Sequence, residues 1–531
     1  MVTYLFCWET HQKRIMDSNK LTVTFISNLH ELFGSMSFCD TANGYFLLLS
    51  ENLLCRWIID SSYEPFKQVL WCRYHYSMST DSTSAEQHNT KVTTMSKENA
   101  IPLGIYLLKY QYQNINPLLV PNNKSSLKQV LENIIETVGN VEFSSNHILN
   151  RNEYLFNEYL GKPITTNLFR SALNGERLLN LTTPYNDLQE GMDAGIFYVA
   201  SIHAMNLYKI KKKSMQARPS ELDSIRKTLK VDVLYNTQRS ESWYLLGKCF
   251  SYIVEDDLIW TSDKISTIEK KKTIAITQRK AILCYLMAIS IYNGDNDHTI
   301  DDETIIARTY EALGNELVSG YYKPMDKLCF SWQPSSKILH LTEEKSIKET
   351  VYKDAVTISE FNIEQSIVLC FRKSNMYYSN SSETNWWSNY SLGRILFKLD
   401  RILYGKEACS YILKAAINSS LSSAREAVIE PHYYLINICY KMVAANSIGP
   451  EDALTLLAKD NEFLAQKDSF WKFDETDGVM NRKDSLYRKI IVLLRSILSH
   501  DKKKLQHRPQ YRTAKILYHE FKDINGALEE M

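Results

Sequence analysis

Glycine and proline are scarce in this 531-residue chain, at 17 and 12 residues. A sheet-and-turn architecture draws heavily on both, so their shortage argues against one and suits packed helices. The ten cysteines (Cys7, Cys39, Cys55, Cys72, Cys249, Cys284, Cys329, Cys370, Cys409 and Cys439) include no Cys-x-x-Cys pair. With no secretory leader expected, thiols dispersed through apolar helical segments suit burial in a reducing compartment. Neither sign of charge is in surplus: 62 Lys+Arg stand against 61 Asp+Glu, a formal charge of +1. That removes the simplest argument for a nucleic-acid binder, although a neutral total can conceal local patches. Long apolar runs are missing too. The most apolar early stretch, Tyr45 to Leu49 and Leu53 to Ile59, is interrupted by Ser50-Glu51-Asn52 and by Arg56. It reads as a buried or amphipathic helix and not as a membrane span. A soluble, intracellular chain with no membrane partner is expected.

Chemistry-bearing motifs are equally sparse. Asp295-Asn296-Asp297 with Asp301 and Glu303 has the look of a calcium loop, but Ile300 stands where the turn needs Gly and Ile306 where a bidentate Glu belongs. His75 near Cys72, and His298 among carboxylates, lack a second ligand at zinc-site spacing. No phosphate-cradling glycine loop, Gly-x-Ser-x-Gly or His-Glu-x-x-His occurs. Cys249 and Cys284 fall on buried helix faces. No catalytic, cofactor-binding or metal-binding residue is therefore assigned, and a non-enzyme is expected. The rival readings are an enzyme whose site is assembled from distant residues and a direct nucleic-acid binder. The run Lys209–Lys213 reads as a favourably charged helix C-terminus, with a nuclear address or phosphate contact as the alternative, and Lys270–Lys272 and Lys502–Lys504 read as solvated faces in preference to nucleic-acid sites.

What the chain does have is a recurring helical pattern. Trp243, Leu246, Gly247 and Phe250 are spaced 0, 3, 4, 7, which stacks them on one side of a helix. Ala281, Tyr285 and Ala288 follow at 0, 4, 7. Together they read as one helix-turn-helix unit of the tetratricopeptide (TPR) type, whose usual period is about 34 residues. The polar segment Glu255–Thr277 is expected to separate the two helices. The first pattern recurs at Tyr310, Leu313, Gly314, Leu317; at Asn389, Leu392, Gly393, Leu396, followed by Ala408, Ile412 and Ala415; and at Tyr433, Ile436, Asn437, Tyr440, followed by Ala453, Leu456 and Leu457. Glycine holds the same place in three of the four copies. Because it weakens a helix, its reuse points to close helix–helix approach. The fold expected is all-α, a TPR-like helical-repeat solenoid with irregular insertions. Its expected divisions are an N-terminal helical segment (1–76), a flexible insertion (77–100), an irregular helical region (101–220) and the repeats (221–531), apparently truncated at the C-terminus.

One surface stretch combines charge with an apolar anchor. Glu255, Asp256 and Asp257 directly precede Leu258, Ile259 and Trp260, a mixture typical of protein interfaces. The segment from Arg239-Ser240-Glu241-Ser242-Trp243-Tyr244-Leu245-Leu246-Gly247 through Lys264 resembles the fungal third subunit of the histone-regulation (HIR) complex, counterpart of the animal calcineurin-binding protein cabin. Arg279 to Ala288, and His507-Arg508-Pro509-Gln510-Tyr511 through Ala527, are similar to later segments of that family. The resemblance implies a non-catalytic scaffold, without cofactor, in a nuclear histone H3–H4 chaperone assembly. That assembly would act in replication-independent nucleosome assembly and in repression of histone genes. The partners it implies are WD-repeat subunits, a small ubinuclein-like subunit and histone H3–H4, with DNA reached through the assembly. Members of the family are much longer than this chain.

Overall fold

The computed structural model describes residues 18–56, 63–76, 86–112, 116–120, 127–139, 141, 143–186, 188–260, 267–295, 297–332, 338–341, 347–350, 355–356, 358–380, 385–422, 428–473, 479–501 and 506–531. Helices dominate, as the glycine and proline shortage implied. Among the described residues strands are confined to two short antiparallel pairs. β1 (Ser331–Trp332), β2 (Ile338–Leu341), β3 (Ile347–Thr350) and β4 (Ala355–Val356) pair as β1 with β4 and β2 with β3.

The chain forms two compact units, Met1–Lys162 with Ser171–Gly294, and Pro163–Arg170 with Asp295–Met531. Residues on both sides of the boundary expected at 220/221 fall within the first of these units. The reason is local: Pro219 opens a helix, as its missing N–H allows, and that helix packs on both its neighbours.

In the first unit α1 (Ser18–Ser35), α2 (Thr41–Arg56), α3 (Tyr63–Tyr74), α4 (Lys97–Tyr112), α5 (Leu127–Val138) and α6 (His147–Leu160) come first. α7 (Thr166–Leu173) straddles the partition, and α8 (Gln189–Asp193), α9 (Ile196–Lys213), α10 (Pro219–Tyr235), α11 (Ser240–Trp260) and α12 (Ile268–Gly294) follow. The insertion expected to be flexible at 77–100 needs correction where it is described. Glu86 to Ser96 is a strap held on the first helices: Thr93 N–H donates to the Arg73 carbonyl at 2.8 Å, the Thr90 hydroxyl donates to the Cys72 carbonyl, and Lys91 N–H donates to Asp40 Oδ2 at 3.2 Å. Residues 77–85 lie outside the described residues. The polar composition read as mobility is, over the strap, a set of hydroxyls and amides with partners.

α11 and α12 form the helical hairpin expected from the Trp243 pattern. Trp243, Leu246, Phe250, Ala281, Tyr285 and Ala288 are all buried. A Cβ added at Gly247 would lie 2.6 Å from Tyr285 Cε1, so the glycine is where the two helices close. Trp243 reaches outward to α6, with its ring 5.5 Å from Phe156 and edge-on to Tyr159 at 6.0 Å. α12 is the one helix among the described residues long and apolar enough to cross a membrane. Of its most apolar stretch 72% is buried within the protein, which makes it a core helix.

The second unit continues through α13 (Ile300–Tyr321), α14 (Glu360–Asn380), α15 (Trp386–Leu399), α16 (Gly405–Ser422), α17 (Ile429–Ala444), α18 (Pro450–Ala458), α19 (Asn461–Leu464), α20 (Val479–His500), α21 (Arg508–His519) and α22 (Ile524–Glu530). α13 pairs with α14, α15 with α16, and α17 with α18 and α20. The seams repeat the first: a Cβ at Gly314 would meet Phe371 at 3.0 Å, and one at Gly393 would meet Ile412 Cγ1 at 2.6 Å and the Ala408 carbonyl at 2.9 Å. Leu392 and Leu396 are buried beside Gly393. The partner of the Tyr310–Leu317 face lies beyond the strand-bearing excursion between α13 and α14, which hid the pair from a fixed-period search. The failed calcium loop has a structural use. Thr299 caps α13 through a reciprocal pair with Asp302, so this carboxylate is engaged by the backbone.

Candidate functional site

The acidic–apolar stretch is not the inter-helix segment expected from sequence. α11 runs unbroken through Trp260 and α12 begins at Ile268, so Glu255–Trp260 is the last part of a helix and the separation expected from Glu255 to Thr277 is much shorter. The cause is that Val254, Leu258 and Ile259 continue the helix at apolar spacing while the acidic residues sit on its flank. Lys212 on α9 holds two of the carboxylates, with Nζ 2.9 Å from Glu255 Oε2 and 2.8 Å from Asp256 Oδ1, and the Tyr208 hydroxyl donates to Asp256. The basic end of α9 therefore answers this acidic patch within the chain. Asp257 is pushed above the ordinary carboxylate range, by burial first and then by Asp256. Leu258 is half-buried and Ile259 is 58% exposed; the Trp260 side chain lies outside the described residues.

A different surface in the second unit is concave. Asn315, Val318 and Tyr322 of α13 and the residue after it, Trp387, Arg394, Phe397 and Lys398 of α15, Arg401, and Tyr434 and Lys441 of α17 line a cavity of about 260 Å³. Each cation stands against a ring: Lys398 Nζ is 3.1 Å from the Tyr322 centroid, Arg394 5.3 Å from Tyr390, Arg401 5.7 Å and Lys441 5.9 Å from Phe397. Among the described residues no carboxylate lines the groove and none of these four cations forms an ion pair. Burial, then the neighbouring arginines, hold Lys398 and Lys441 below the ordinary lysine value. Uncompensated cations beside aromatic faces suit an acidic, partly apolar ligand.

Two buried clusters bear on chemistry. Ser419 Oγ lies 3.3 Å from His432 Nε2, and His432 Nδ1 lies 2.7 Å from Asp460 Oδ2, the connectivity of a hydrolase triad. All three side chains are buried, Ser419 also donates to the Ala416 carbonyl at 2.8 Å, and Phe463 stacks on the imidazole at 3.6 Å. With a substrate's approach covered by Phe463, the arrangement works as a hydrogen-bonded tie between α16, α17 and the α18–α19 corner.

The second cluster brings together His30 of α1, Cys39 after it, Cys72 of α3 and His88 of the strap. All four are buried, and one donor atom from each lies within 4.8 Å of the others. Sequence reading passed over it because the positions are 9, 33 and 16 apart and come from four separate segments. His75, the neighbour considered instead, is exposed and stacks on Trp71. A hydrogen bond from Cys39, against the opposing effect of burial, holds the Cys72 thiol well below its ordinary value. By contrast Cys249 is pushed up to about 12 and Cys284 well above its ordinary value, both by burial first, as expected of inert core thiols.

Comparison with known families supplies the context for these surfaces. Residues 113–378, half of the chain, match the HIR3 helical bundle domain. The chain belongs to the histone transcription regulator 3 family. Residues 1–94 match the helical domain of that family and residues 408–531 its TPR domain. The histone transcription regulator 3 homolog of Eremothecium gossypii is 42% identical over 530 residues, covering 98% of this chain and 32% of the relative. That of Kluyveromyces lactis is 42% identical over 520 residues (96% and 31%), and that of Schizosaccharomyces pombe 23% over 518 (97% and 30%). The chain thus spans about a third of the length of the curated relatives it matches.

Proposed function

We propose that this member of the histone transcription regulator 3 family is a non-catalytic scaffold in a nuclear histone H3–H4 chaperone assembly. In that role the assembly deposits nucleosomes independently of replication and represses histone genes. The observation that carries the reading is the groove of α13, α15 and α17. Four cations without ion-pair partners among the described residues sit beside aromatic rings on a helical-repeat surface, a standing site for an acidic segment of a partner protein. The partners proposed are WD-repeat subunits, a small ubinuclein-like subunit and histone H3–H4, bound directly or through the complex. The exposed Ile259 with Leu258 and Trp260, flanked by Glu255, Asp256 and Asp257, is proposed as a second contact. Its apolar residues dominate there, since Lys212 already neutralises part of the charge.

Reconstitution tests this reading. The chain carrying Arg394→Glu with Lys398→Glu, and separately Ile259→Ala with Trp260→Ala, is mixed with each candidate partner and with H3–H4. Loss of one partner by at least one folded variant is expected. Retention of every partner by both variants would overturn the surface assignments, and failure of the native chain to bind any partner would overturn the scaffold reading. The same groove favours nucleic acid as a second reading, which predicts a steep fall of affinity with added salt.

A further inference from the structure

We infer that His30, Cys39, Cys72 and His88 form a structural zinc site that fastens the strap of residues 86–96 onto the N-terminal helices. Two thiols and two imidazoles, brought within 4.8 Å of one another in the interior, are the donor set of a closed tetrahedral site. His88 Nδ1 stands 3.4 Å from Cys39 Sγ and 3.3 Å from Cys72 Sγ, close to the roughly 3.5 Å edge that bonds of about 2.3 Å to sulfur and 2.0 Å to nitrogen define. Two thiolates neutralise a divalent ion, so the centre brings no net charge into its apolar surroundings of Leu47, Phe33, Phe46 and Trp71.

Three further observations point to a ligand. The Nε2 atom of His30 is fully buried and has no hydrogen-bond partner among the described residues. On the far side of the His88 ring, Nε2 lies 3.6 Å from the Glu86 carboxylate, and Gln68 Nε2 donates to Cys72 Sγ at 3.3 Å. Carboxylate and amide partners behind the donors are what orient metal ligands. Gly34 makes room for the ring: a Cβ there would lie 2.2 Å from His88, so α1 admits the imidazole only because that residue has no side chain. Zinc is the metal expected for a mixed sulfur–nitrogen set with four protein donors and no open position.

The site would hold together α1, the turn after it, α3 and the strap, segments whose remaining ties include the Thr90, Lys91 and Thr93 hydrogen bonds. The experiment is metal analysis of the full chain, expressed with zinc supplied and passed through gel filtration. About one zinc per chain is expected, reduced roughly tenfold or more in Cys39→Ser with Cys72→Ser. Cobalt(II) exchange into the native chain covers the case in which that variant fails to fold. Thiolate-to-metal charge transfer with tetrahedral ligand-field bands is the expected spectrum. Chelation should also speed amide exchange at Lys91 and Thr93. Substoichiometric zinc with no tetrahedral cobalt spectrum, a Cys39–Cys72 disulfide in fresh protein, or a folded double variant with unchanged zinc content would each overturn the inference.

Discussion

Substituting Gly247 tests the helix seam most directly, because two opposing effects of known sign meet there. Replacing a mid-helix glycine with alanine favours the helix by about 1 kcal/mol. At Gly247 the new Cβ would stand 2.6 Å from Tyr285 Cε1, 2.8 Å from Cδ1 and 3.0 Å from Cζ. That ring is rigid, fully buried, and tied through its hydroxyl to Ser251 at 2.8 Å. Overpacking of this kind costs about 1–3 kcal/mol, so Gly247→Ala should lose up to about 2 kcal/mol after the propensity gain, and Gly247→Leu about 1–3 kcal/mol. Gly104 is the matched control. Its nearest neighbour, also at 2.6 Å, is Ile196 Cδ1, a terminal methyl that can turn aside. Gly104→Ala should therefore be neutral or stabilising by up to about 1 kcal/mol. Urea unfolding followed by circular dichroism gives the midpoints, compared at equal slope. If Gly247→Ala stabilises as much as Gly104→Ala, the close-approach explanation of the repeated glycines is wrong.

Trp243→Ala should cost about 3–5 kcal/mol in the same assay, since the side chain is fully buried against Phe156 and Tyr159. Trp243→Phe should lose much less, because the indole N–H has no acceptor among the described residues and its removal breaks no hydrogen bond. His203 should make stability fall in acid. Burial first, and then Lys128, hold it below its ordinary value of 6.5, while its Nε2 lies 2.9 Å from the Tyr112 hydroxyl. A depressed folded value means the contribution is complete above the unfolded value of about 6.5 and is lost as pH falls through the folded one. His203→Gln should flatten that part of a pH series of urea midpoints, and an unchanged acid slope would refute the assignment.

Much of the helical architecture was legible because helix faces are written locally. The 0, 3, 4, 7 spacing found α11, α13, α15 and α17, and the glycine within three of the four copies marked where partners close. What escaped has a common cause in contacts that local spacing does not encode. Asn152 reads as an unremarkable helix residue, yet it is fully buried and bonds the Thr182 backbone and the Leu234 carbonyl. Glu255–Trp260 was misplaced because polarity was read as a break, when α11 simply carries acidic residues on a flank that Lys212 faces. The cation-lined groove draws on three helices whose charges are unremarkable one at a time, within a chain of net charge +1.

The two buried clusters show why geometry alone does not name a site. Ser419, His432 and Asp460 have triad connectivity, but the hydroxyl bonds the Ala416 carbonyl, both imidazole nitrogens have partners, and Phe463 closes the ring face. Burial leads the upward push on Asp460, against the hydrogen bond from His432, so the polar groups serve each other and leave no unmet valence for a ligand. The His30, Cys39, Cys72 and His88 cluster is as deeply buried, yet among the described residues His30 Nε2 is left without a partner. Leaving a buried polar atom unmade costs about 1–3 kcal/mol. A bound cation removes that penalty and joins four separate segments of the chain. The connectivity of an enzyme thus marks a structural tie, while residues without any motif spacing carry the ligand chemistry.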